Sequence, residues 1–194
     1  MPETDGMTRL TEGDQAMSWN DFYRRRDVMD AVLKQARRDP QAPLPFAEIN
    51  GAKQAFDSEE ELLLALHYRW MQALSGHLRA AVAGPEDAAD VPGGWERDHV
   101  EAVSKAWRAA VREHPTLHAV LDANVERYPA LRRAHEGELR MLALTAGLAD
   151  PGEPRDEVTR IGGTLVALLR SKGACQGRSS NPLGQWLRRL APTG

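Results

Sequence analysis

The chain has 194 residues, 42% of them hydrophobic and 27% charged, a balance that allows a buried core and excludes an intrinsically disordered polymer. Its single cysteine, Cys175, excludes an intramolecular disulfide and any multi-cysteine metal cage. The net charge of −3 is unevenly spread: residues 1–56 carry −1, residues 57–157 carry −8 and residues 158–194 carry +6. An acidic body repels phosphates, so on charge the C-terminal tail is the better partner for a polyanion.

No early run resembles a signal peptide, since "MPETDGMTRLTEGDQAM" is polar and acidic. No apolar stretch approaches the ~20 residues of a membrane span. The expected setting is soluble, cytoplasmic and reducing.

Nearly every long segment has helical periodicity and none alternates like a strand, so the expected fold is an all-α bundle of seven or eight helices without a sheet. Residues 1–17 read as a polar, disordered tail. A first helix is expected from Ser18 to just before Pro40, with Phe22, Met29, Leu33 and Ala36 on one face. "PQAPLP" is a stiff connector. Residues 46–56 allow one short, glycine-interrupted helix. Ser58 then caps a long helix, with Glu61 in the capping-box position and Glu59 and Glu60 at the positive helix end.

"AGPEDAADVPGG" is the longest loop and divides the chain. A helix from about Trp95 to Glu113 carries Val100, Val103, Trp107, Ala110 and Val111 on one stripe. Pro115 opens a short helix over 115–123. Residues 129–149 form another, with Leu131, His135, Leu139, Leu142 and Ala146 aligned, ended by Gly147 or "DPGEP". Residues 155–171 show the cleanest stripe: Val158, Ile161, Leu165, Leu168 and Leu169. "SKGACQGRSS" reads as a linker. Asn181 and Pro182 then start a short terminal helix edged by Leu183, Trp186, Leu187 and Leu190.

Catalytic constellations are weak. His114 and His118 have helical zinc spacing, but Pro115 puts His114 at the cap and off the helical face. "RAHEGELR" lacks the second histidine of a zinc-protease pattern. Cys175 has no histidine nearby in sequence to lower its pKa. "IGGT" and "VPGGW" lack the lysine and spacing of a phosphate loop. No metal or cofactor is expected, and an enzyme built on His135 or His67 is the least favoured of three readings. The aromatics say more. His67, Trp70, Trp107 and His135 lie mid-helix, as core packing or as the lining of a mostly apolar ligand pocket with polar anchors.

Three stretches resemble the tetracycline-repressor (TetR) family of regulators. "RRRDVMDAVLKQARRD" is similar to that family's first helix. "FDSEEELLLALHYRW" is similar to the start of its long connecting helix. "WRAAVREHPTLHAVLDANVERYPALRRAHEGELRMLALTAGLADPGE" is similar to the middle and late helices of its regulatory domain. The resemblance covers roughly residues 20–170. It implies an N-terminal module over 18–57, a ligand-binding and dimerisation domain over 58–171, and a linker with a short helix over 172–194. It also implies a homodimer through the last two long helices, which places Ile161, Gly163 and Ala167 at the interface.

The family's DNA reader is a helix-turn-helix, and here the chain departs from the pattern. Such a motif needs two short helices and a tight turn in roughly twenty residues. Only Asn50 to Ala55 separate Ile49 from Phe56. At ~1.5 Å per residue that is about 9 Å of helix, or a little over one turn. Arg24, Arg25, Lys53 and Gln54 are the DNA-contact candidates, with Arg26, Arg37 and Arg38 as further phosphate contacts. Residues 18–56 nevertheless net only +2, and little remains for reading bases. The sequence therefore favours a ligand-binding regulator-type protein and argues against sequence-specific DNA binding of its own, with DNA kept as a partner to test. The competing binding function is a protein–protein adaptor that docks through the basic "GQWLRRL" helix.

Overall fold

A computed structural model describes residues 11–82 and 94–176, with side chains described over 19–81 and 99–171. The described residues form seven helices and no strand: α1 Thr11–Ala36, α2 Ala52–Ala55, α3 Glu59–Val82, α4 Gly94–Glu113, α5 Pro115–Asn124, α6 Pro129–Thr145 and α7 Arg155–Gln176. The all-α expectation holds. No helix among them is long and apolar enough to cross a membrane. The expected terminal helix with Leu183, Trp186, Leu187 and Leu190, and the loop expected over 83–93, fall outside the described residues.

Two compact units emerge. The first takes the described parts of Met1–His77 with Ala109–His135, and the second those of Leu78–Arg108 with Glu136–Gly194.

In the first unit α1 packs on α2 and α5. α1 begins at Thr11, ahead of the Ser18 cap that the sequence suggests. "TEGDQAM" has no proline and one glycine, so a helix nucleated downstream extends through it cheaply. The buried face of α1 is Val28, Val32 and Ala36. Phe22, expected on that face, is 57% exposed, and it makes edge contacts with Trp19 and Tyr23 instead. Residues 37–51 turn repeatedly, with Asp39 Oδ1 accepting from the Gln41 amide at 3.0 Å. Gly51, at φ +82°, then turns the chain into α2, a conformation that costs any other residue about 1–2 kcal/mol. Phe56, Leu62, Leu63, Leu66, Trp70 and Leu74 bury almost completely, which is why "LLLAL" is apolar all round.

In the second unit α6 ends where Gly147 adopts φ +66°. The Gly147 amide donates to Leu144 O at 3.1 Å and the Leu148 amide to Ala143 O at 3.0 Å, the paired bonds of a Schellman cap. α7 approaches α6 through Gly162, whose missing side chain leaves room for the Leu139 backbone; a Cβ there would lie 2.1 Å from Leu139 O. Gly163, expected at the dimer interface, is one position away. Val158, Leu165, Val166 and Leu169 form the inner face of α7, whereas Leu168, expected there, is 55% exposed. α7 also runs on to Gln176, so "SKGACQ" is helical rather than linker. Gly173 alone costs about 1 kcal/mol against alanine in a helix already formed.

Candidate functional site

The site is built around the N-terminus of α3. Ser58 Oγ accepts from the Glu61 amide at 3.1 Å, the expected cap. Glu61 reaches back one residue further than a standard capping box: its Oε2 accepts from the Asp57 amide at 2.7 Å. Its Oε1 takes Arg25 Nη2 of α1 at 2.6 Å. These bonds hold the Glu61 carboxyl below its ordinary range, the Asp57 amide contributing most and Arg25 next, against a smaller opposing effect of desolvation. Glu60 Oε1 accepts from the Ala130 amide at 2.9 Å in the first turn of α6. Glu59 accepts from the Tyr128 hydroxyl, and burial together with that bond pushes the phenol pKa up. The three consecutive glutamates thus fasten three separate parts of the chain.

This arrangement holds one of the DNA-contact candidates, Arg25. Arg25 lies over the Phe56 ring and pairs with Glu61. Arg24 pairs with Asp21 at 3.2 Å. Lys53 and Gln54 are exposed on α2, a single turn of four residues. A groove of about 550 Å³ beside α1 is lined by Asn20, Tyr23, Arg24, Asp27, Val28, Ala31 and Asn50.

The candidate pocket residues fall as follows. His67 and Trp70 are buried one turn apart on α3, in the first unit. Trp70 meets His118 of α5 edge to face, ring centroids 5.0 Å apart. His118, set aside in sequence as half of a zinc spacing, is therefore an aromatic neighbour of Trp70. His135 is half-buried at the end of the first unit, and Trp107 is buried on α4 in the second. On α7, Ile161 and Gly163 are half-buried and Ala167 is exposed. Among the described residues no group of three or more His, Cys, Asp or Glu is placed to hold a metal ion.

Sequence reasoning missed a second cleft in the first unit. It has a volume of about 670 Å³ and lies between α1, Arg69 of α3 and the α4–α5 junction. Lys34, Arg37, Arg69 and Arg112 line it against only Asp30 and Glu113. The signal was present on α1, where Asp30, Lys34 and Arg37 follow helical spacing along one polar face. Its α4–α5 side comes from a distant part of the chain, which periodicity cannot locate. Glu138 is also buried; its helical spacing from Leu131 and Leu142 on the α6 stripe was the signal, masked by its charge.

No family model, curated protein or solved structure matches this chain.

Proposed function

We propose that the chain is a TetR-like, ligand-binding regulator-type protein that works by binding rather than catalysis and does not read DNA sequence by itself. The observation that carries the DNA part is the trace between α1 and α3. It contains one four-residue turn of helix, α2, where a helix-turn-helix requires two helices. The fixed partners of Arg24 and Arg25 support the same reading, since a phosphate would have to displace Asp21 and Glu61.

For the ligand part, support comes from the large aromatic and imidazole side chains on α3 and α5, His67, Trp70 and His118, which offer an apolar interior with polar anchors. His135, of the same unit, remains a proposed contributor. The exposed side of α7, with Ala167 and Leu168, supports a homodimer made through the late helices.

Selection of bound duplexes from a random pool at physiological salt tests the first part: no sequence should be enriched, and a tightly bound consensus overturns the proposal. A panel of small apolar compounds, read by tryptophan fluorescence and thermal shift, tests the second. Binding should be lost in Trp70→Leu and His118→Ala while both variants stay folded; binding that survives both places the ligand elsewhere.

A further inference from the structure

We infer that the 670 Å³ cleft of the first unit binds a small organic polyanion, a phosphate ester or polycarboxylate with at least two negative charges. Its volume lies within the roughly 300–1,000 Å³ of small-molecule sites. Of its cations, Arg69 is taken by Asp30 at 2.5 Å. Lys34, Arg37 and Arg112 have no carboxylate partner among the described residues.

The nearby acid, Glu113, is turned to two imidazoles instead: His77 Nε2 lies 2.9 Å from Oε2 and His114 Nε2 lies 3.7 Å from Oε1. With four cations against two carboxylates the cleft keeps a formal charge of +2 in an otherwise acidic protein, and Lys34, Arg37 and Arg112 raise its local potential for an anion. Two of them are guanidinium groups, whose planar forks match phosphate and carboxylate oxygens two at a time. The first turn of α5, which has no side-chain cap, adds positive potential on one side. Leu33, Pro115 and Leu117 give an apolar wall for a carbon body. None of His67, Trp70 and His118 lines the cleft, and its test does not depend on the apolar-ligand reading.

The experiment is isothermal titration of the full chain with inorganic pyrophosphate and with citrate, at ionic strength held constant by sodium chloride. A saturable one-site isotherm is expected with at least one probe, and Arg37→Gln and Arg112→Gln should each weaken it about tenfold or more. Lys53→Gln, a surface cation on α2, controls for overall charge and should leave it unchanged. Stronger binding of pyrophosphate upholds the site as one for phosphate esters, and stronger binding of citrate upholds it as one for polycarboxylates. The inference is overturned if neither probe binds up to about 10 mM, if both arginine variants bind as well as the parent, or if Lys53→Gln weakens binding equally. Loss of duplex-DNA binding in the arginine variants, with no response to either small anion, also overturns it.

Discussion

The Arg25 guanidinium carbon lies 4.3 Å from the centre of the Phe56 ring, so one cation covers the C-cap of α2, two residues before the Ser58 cap of α3. The same side chain bonds Glu61, which itself holds the Asp57 amide. Arg25→Lys should weaken this clamp, because an ammonium cannot stack flat and bond sideways in the same pose. Glu61→Ala removes the Asp57 bond as well, and should cost about 1–2 kcal/mol. Both changes should lower the urea midpoint, Glu61→Ala more. The Arg25–Glu61 side chains are 40% and 35% exposed, so solvent screening limits the coupling in a double-mutant cycle to about 0.5–1 kcal/mol. Coupling near zero would show that the pair is incidental to the clamp.

The Glu61 carboxyl also makes stability depend on pH in a defined direction. Its folded pKa lies below the ordinary 4.5 because the Asp57 amide and Arg25 favour the charged form. The folded chain therefore binds this proton less readily than the unfolded one, and stability rises with pH across the interval between the two values. The contribution is fully present above the ordinary value and is lost as pH falls through the lowered one. The stability gap between the parent and Glu61→Gln should be constant from pH 6 to 8 and should close progressively below 4.5. A gap that persists unchanged into strong acid would assign the effect to packing rather than charge.

The contrast between Glu61 and Phe22 shows what the sequence made legible. Cap chemistry is local: Ser58, Glu61, Pro115 and Gly147 act on backbone groups within a few residues, so their roles could be read directly from the chain. Which face of a helix is covered depends on what arrives from elsewhere. Phe22 and Leu168 fit their stripes by spacing, yet each stays more than half exposed among the described residues. Arg25 looked like a phosphate contact because its partners, Phe56 and Glu61, stand some thirty residues further on. The cationic cleft was only half legible for the same reason: α1 shows Lys34 and Arg37 on one face, but Arg112 joins them only after folding. The Gly162–Leu139 contact required knowing the depth of one helix pair to a single residue.

That contact separates two adjacent glycines experimentally. A Cβ on Gly162 would lie 2.1 Å from Leu139 O and 2.6 Å from its carbonyl carbon, atoms of backbone that cannot swing aside. Gly162→Ala must push α7 away from α6, and should cost about 3 kcal/mol or more. On Gly163 a Cβ meets only Leu139 Cδ1, at an ordinary 3.9 Å. Gly163→Ala should therefore be neutral or stabilising by up to about 1 kcal/mol, from helix propensity. The thermal melt of Gly162→Ala should fall while that of Gly163→Ala holds or rises; a Gly163→Ala loss as large as that of Gly162→Ala would mean that Gly163 is covered by a second helix in the assembled protein.

The proposed homodimer makes a sharper demand on α7. Ala167 and Leu168 are exposed on its outer side, with Thr164 one turn before and Ser171 one turn after. If two copies pair there, a charge at position 167 has to be buried without a partner. Ala167→Arg should then convert the dimer to a monomer by sedimentation equilibrium, weakening association by about 3 kcal/mol or more. The fold of each chain should survive, since the same arginine is solvated on a lone α7. Thr164→Arg, on the same exposed side, should act in the same sense. Lys53→Glu, on α2, should leave the association state unchanged. Dimers that persist in Ala167→Arg and Thr164→Arg would move the interface off this face, and a parent that sediments as a monomer would remove it altogether.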